Sequence, residues 1–99
     1  MAKKYLRITE VVKICGVNEE FVYRLEEEHL IRPISRRKQK LYPLDQVDRV
    51  RVARTLIKEM GVNLEGAEVA LHMREQMIAI QRQFERVLQS LLKELKSGV

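Results

Sequence analysis

The tripeptide Gly16, Val17, Asn18 constrains this chain more than any other feature. It lies between two short amphipathic segments, and its ends carry helix signals of opposite sense. Before it, Thr9 is an N-cap candidate ahead of Glu10, Val11, Val12 and Ile14, an apolar stripe of about two turns that stops at Gly16, the expected breaker. After it, Asn18 is placed to cap a second helix whose first turn holds Glu19 and Glu20, where carboxylates favour the positive end of the macrodipole. Two helices joined by so short a turn make a helix-turn-helix.

The segment LIRPISRRKQKLYP that follows has no helical period, and Pro33 biases Arg32 towards extended backbone. Ile34 and Leu41 flank Ser35, Arg36, Arg37, Lys38, Gln39 and Lys40, a pattern that predicts a small hairpin, or wing, with a charged tip. From Leu44 the apolar residues Val47, Val50, Ala53, Leu56, Ile57 and Met60 recur every three or four positions until Gly61, which reads as a third helix.

Asn63 then caps a long segment, LEGAEVALHMREQMIAIQRQFERVLQSLLKELK, which carries no strong breaker after Gly66; a bend near His72 to Arg74 would divide it, and the sequence does not decide between a bent and a continuous helix. Within its second part, Met77, Phe84, Leu88, Leu91 and Leu95 share one seam, with Gln81 as its polar position. Ile78, Ile80, Val87 and Leu92 widen that stripe, which suits a helix that pairs with a second copy and touches its own domain as well, the alternative being a helix folded back on its own domain. The expected fold is therefore mainly α: a winged helix-turn-helix with a small β wing, two further helices and a C-terminal coiled-coil-like helix. Residues 1–74 form the winged-helix domain and 75–99 the dimerisation helix.

Composition narrows the function classes. A chain of 99 residues buries only about 60–70% of its unfolded surface, so a homodimer would help its small core. The net charge of +5 fits nucleic acid, an acidic protein or a merely solvated surface. Cys15 is the sole cysteine, which excludes an intrachain disulfide and a cysteine-cluster metal site and points to a reducing interior. No window approaches the run of about 20 apolar residues that spans a bilayer, so a cytoplasmic protein is expected. There is no phosphate-cradling glycine loop, and no nucleophile stands at catalytic spacing from a base. His29 and His72 are isolated, and Cys15 beside Ile14 reads as a small buried hydrophobe. No enzyme, cofactor or metal site is expected.

Two surfaces are left for function. If Phe21, Val22 and Leu25 face the core, the opposite side of the second helix presents Glu19, Glu20, Tyr23, Glu26 and Glu27, with Arg24 alongside. Several carboxylates near phosphates raise the electrostatic cost of docking on DNA, so this face suits a cationic protein. The wing cations Arg36, Arg37, Lys38 and Lys40 can instead neutralise phosphates without reading bases, and Tyr23 and Arg24 are the only candidates for groove contacts with double-stranded DNA. Both surfaces also fit plain solvated charge.

The order ITEVVKICGVNEE, HLIRP, a basic wing, LYPLDQVDRV and MGVNLEGAEVAL resembles the MerR-type winged helix-turn-helix superfamily over essentially the whole chain. Its DNA-binding members usually carry a threonine-leucine-arginine-tyrosine-tyrosine-glutamate run before a glycine-leucine turn. Here the run is Phe21, Val22, Tyr23, Arg24, Leu25, Glu26, and His29 stands in place of the glycine. Two branches share the GVNLEGAEVAL type of segment, the HspR-like repressors and the CbpM-type chaperone modulators. The paired Glu19 and Glu20, the altered run and the length resemble the second. That resemblance implies a non-enzymatic regulator that binds the J-domain of a DnaJ-like co-chaperone, whose helical surface is typically basic. The HspR-like alternative implies a dimeric DNA-binding transcriptional regulator.

Overall fold

The computed structural model describes residues 3–98. Strand β1 (Tyr5–Leu6) leads into helix α1 (Ile8–Cys15), and the Gly16 turn leads into α2 (Glu19–Glu27). Gly16 takes φ +67°, the left-handed conformation that ends α1 and that glycine adopts without a Cβ penalty. Asn18 Oδ1 accepts from the Phe21 amide at 2.8 Å and caps α2 as expected. Thr9, by contrast, lies inside α1. The N-cap is Arg7, whose amide donates to Glu10 Oε1 at 3.0 Å, so a carboxylate one turn on reaches back to the N-cap amide and no hydroxyl caps the helix. That backbone hydrogen bond, with the Lys3 ammonium beyond it, holds the Glu10 carboxyl below the usual range.

His29 ends α2 with φ +61°. Its amide donates to the Glu26 carbonyl at 3.0 Å and the Leu30 amide donates to that of Leu25 at 2.8 Å, the paired bonds of a Schellman motif. Leu25 and Leu30 are both buried, the apolar contact that accompanies such an end. The chain then runs back to be fastened from the third helix: Arg49 Nε donates to the Leu30 carbonyl at 2.6 Å, and the Arg32 amide donates to Gln46 Oε1 at 2.8 Å.

The wing is β2 (Ile34–Arg36) paired antiparallel with β3 (Gln39–Pro43), with Ser35 opposite Lys40 and Arg36 opposite Gln39. Arg37 and Lys38 form the two-residue loop, and both have positive φ, as the twist of a tight hairpin requires. The short β1 covers the other edge of β3, giving the order β1-β3-β2. Two residues are too few to show an alternating pattern, and β1 was not expected from the sequence.

Helix α3 (Leu44–Arg54) continues as a π-helical turn over Thr55–Glu59, and Gly61 at φ +70° breaks it. Helix α4 (Leu64–Lys96) follows, its first turn capped by Asn63 Oδ1, which accepts from the Gly66 amide at 2.7 Å. The helix runs unbroken through His72 to Arg74, and the fourth helix and the tail are one element of 33 residues, about 50 Å long. Arg74 Nη2 donates to Asp48 Oδ2 at 2.7 Å and Arg49 pairs with Glu75, so this stretch of α4 is tied to α3.

The core gathers around α3. Val47, Val50 and Ala53 meet Val11 and Cys15 of α1, Val22 and Leu25 of α2, Leu6 and Tyr42 of the sheet, and Ala67 and Leu71 of α4. The Cys15 thiol donates to the Val47 carbonyl at 3.7 Å, and burial pushes its pKa up. It behaves as the small hydrophobe the sequence indicates.

Candidate partner-binding surface

Val22 and Leu25 are fully buried and Phe21 packs partly against the core, so the orientation of α2 follows the expected wheel. Glu19, Glu20, Tyr23, Arg24 and Glu27 are exposed, as are Glu28 and His29 at the helix end. None of Glu19, Glu20, Glu27 and Glu28 is in a salt bridge with a described cation. Glu28, the C-cap of α2, is a further exposed carboxylate, but it lies beside Arg24, about 140° round the helix from Tyr23, and so off the side that carries Glu19, Glu20 and Glu27.

Glu26 stands apart from this group. Its side chain is only 15% exposed and lies between α2 and the wing. One carboxylate oxygen accepts from Lys40 Nζ at 2.8 Å and the other from the Tyr42 hydroxyl. Tyr42 is wholly buried; that burial, and then the hydrogen bond to Glu26, push its pKa well above the ordinary phenol range. Tyr23 completes the joint, with the Lys40 ammonium 5.3 Å from its ring centroid.

The wing cations divide accordingly. Lys40 is held by Glu26 and Tyr23. Arg36 lies on the other face of the sheet, its guanidinium 4.8 Å from the Tyr5 ring centroid and donating to the Tyr5 hydroxyl at 3.4 Å. Arg37 and Lys38 alone project from the tip, exposed and without an acidic partner among the described residues. The four cations thus split into two tethered at the base and two presented at the end. Arg24 is exposed on the side of α2 that borders Lys58 and Leu64.

The α4 seam is laid bare. Met77, Phe84, Leu88, Leu91 and Leu95 are between 43% and 73% exposed, and Ile80, Val87 and Leu92 join them. Ile78 turns instead towards Asp45, Asp48 and Arg49 of α3. The stripe starts earlier than the sequence reading placed it, because Val69 and Met73 are also exposed and precede Met77 at intervals of four. Their spacing was visible, but assigning residues before 74 to the domain hid it.

Among the described residues, no group of three or more His, Cys, Asp and Glu side chains is placed to hold a metal ion. No described helix is long and apolar enough to cross a membrane. No curated protein matches the chain. The sequence model of one family, described as MerR HTH family regulatory protein, matches residues 6–89, from β1 through most of α4. With the helix-turn-helix, the wing and the long last helix in place, the chain belongs to the MerR HTH family of regulatory proteins.

Proposed function

We propose that this chain is a non-enzymatic regulator of the CbpM type, which docks the acidic face of α2 on the basic surface of a DnaJ-like co-chaperone's J-domain. The observation that carries this reading is the set of exposed carboxylates Glu19, Glu20 and Glu27 around Tyr23, none in a salt bridge among the described residues. Unpaired like charges on one helix face repel one another, and a cationic partner relieves that repulsion while steering encounter. Duplex DNA, with a charge about every 1.7 Å, worsens it. Glu26 contributes by holding the helix against the wing rather than by contact.

Dimerisation through α4 is part of the same reading, and it favours antiparallel helices. Eight of the ten large exposed apolar residues from Val69 to Leu95, all but Leu88 and Leu92, are Val69, Met73, Met77, Ile80, Phe84, Val87, Leu91 and Leu95, whose spacing of 4, 4, 3, 4, 3, 4, 4 reads the same in both directions. A two-fold axis near Arg82 therefore sets Val69 opposite Leu95, Met73 opposite Leu91, Met77 opposite Val87 and Ile80 opposite Phe84 of a second copy. Charge agrees. Residues 64–81 hold Glu65, Glu68 and Glu75 against Arg74, whereas 82–96 hold Arg82, Arg86, Lys93 and Lys96 against Glu85 and Glu94, so antiparallel pairing brings opposite halves together.

A second reading has its own observation: Arg37 and Lys38 stand at the wing tip of a MerR-family fold, where they would clamp phosphates. Titration separates the two. The first reading predicts binding to an isolated J-domain of a DnaJ-like protein and only weak, sequence-independent binding to duplex. A dimeric repressor neutralising about six to ten phosphates would instead bind one operator selectively and lose about 10³- to 10⁵-fold in affinity between 50 and 200 mM salt.

A further inference from the structure

On the side of α2 away from the wing, Phe21, Arg24 and Leu25 face Ile57 and Lys58 of the π-helical turn and Asn63 and Leu64 at the start of α4. They enclose a groove of about 320 Å³ whose apolar lining is Phe21, Leu25, Ile57 and Leu64. Arg24 and Lys58 line it as well, both exposed and neither in a salt bridge among the described residues, and no carboxylate lines it. The Lys58 ammonium lies 5.3 Å from the Phe21 ring centroid, so the cation already sits at the edge of the apolar surface. Met60, 65% exposed, follows on the same turn.

We infer that this groove is a second docking site, for an acidic peptide segment that presents one leucine or aromatic side chain between carboxylates. The volume is at the low end of sites that enclose a whole small molecule, about 300–1,000 Å³, and suits one large side chain. The apolar lining takes that side chain, and Arg24 and Lys58 pair with the flanking carboxylates. Duplex DNA would use the two cations and leave the apolar lining unfilled. The site is separate from the acidic face: Glu19, Glu20, Tyr23 and Glu27 do not line the groove. One helix would thus offer an acidic side to a basic partner and a cationic, apolar side to an acidic segment.

The test uses the full chain, isotopically labelled and followed by NMR, with three probes. These are a twelve-residue peptide with one phenylalanine flanked by two aspartates and two glutamates on each side, its asparagine and glutamine counterpart, and a mixed-sequence 20-base-pair duplex. The acidic peptide should shift Phe21, Ile57, Lys58 and Leu64 saturably, and the neutral counterpart should bind about tenfold more weakly. R24E with K58E should abolish the shifts while the protein stays folded by circular dichroism, since both side chains are exposed. I57A should weaken binding without altering its salt dependence. Shifts at these residues with the duplex and none with the acidic peptide would overturn the inference, as would equal binding of the acidic and neutral peptides.

Discussion

Glu26 of α2 accepts a hydrogen bond from the buried hydroxyl of Tyr42 in β3, and this contact fixes how the second helix sits on the wing. A buried phenol needs a partner, and here the partner comes from the element that carries the candidate surface. Glu26→Ala should therefore destabilise the fold by about 1–3 kcal/mol, through the hydroxyl left unsatisfied, whereas Glu19→Ala should be within about 0.5 kcal/mol of neutral. Urea unfolding of each variant, with Tyr42→Phe and the double variant completing the cycle, measures the coupling.

The same pair predicts a pH dependence. Burial first, and Glu26 second, raise the Tyr42 pKa from its usual value near 10, so the phenol stays protonated in the folded state where it would ionise in the unfolded chain. Its contribution is complete below pH 10 and declines as the pH rises beyond it. Cys15 acts in the same direction from its usual value near 9, because burial raises it too. Thermal unfolding of wild type should fall steadily above pH 9, and Tyr42→Phe should flatten that decline relative to its own stability at pH 8. An unchanged alkaline slope would show that another group controls it.

At the end of α2, His29 holds a left-handed backbone that costs a non-glycine residue about 1–2 kcal/mol. His29→Gly should gain about 1 kcal/mol, the relief offset in part by the entropy of a glycine in the unfolded chain. His29→Ala should not gain. Chemical denaturation of both variants distinguishes backbone relief from any contribution of the imidazole.

Gly66 makes the opposite point. Helix propensity alone favours alanine there by about 1 kcal/mol. A Cβ at Gly66, however, would lie 2.8 Å from Val62 Cγ1 and 3.1 Å from Asn63 Oδ1, the atom that caps α4. Gly66→Ala should thus lower stability by about 1–3 kcal/mol, read from the unfolding midpoint.

Much of this was legible before the structure. Asn18, Gly16, Asn63 and Gly61 announce helix ends through local chemistry, and the wing followed from Pro33 and the cations between Ile34 and Leu41. What stayed hidden depended on partners distant in sequence. Glu26 read as one more surface acid because nothing local says that Tyr42 lies beneath it. The tie between α4 and α3 rests on Asp48 and Arg49, 26 residues from their partners. Arg7 as a cap was missed because its amide, not its side chain, is what Glu10 serves.

The most direct test of the acidic face is calorimetric titration of the 99-residue chain, as wild type and as the Glu19→Lys, Glu20→Lys double variant, with an isolated J-domain of a DnaJ-like co-chaperone. A basic partner surface predicts saturable binding that the charge reversal weakens at least about tenfold, with circular dichroism unchanged and stability lowered only by the lost helix-dipole interaction, about 1–2 kcal/mol. Equal affinity of the two proteins, or no J-domain binding alongside selective binding of a two-fold operator, would contradict it.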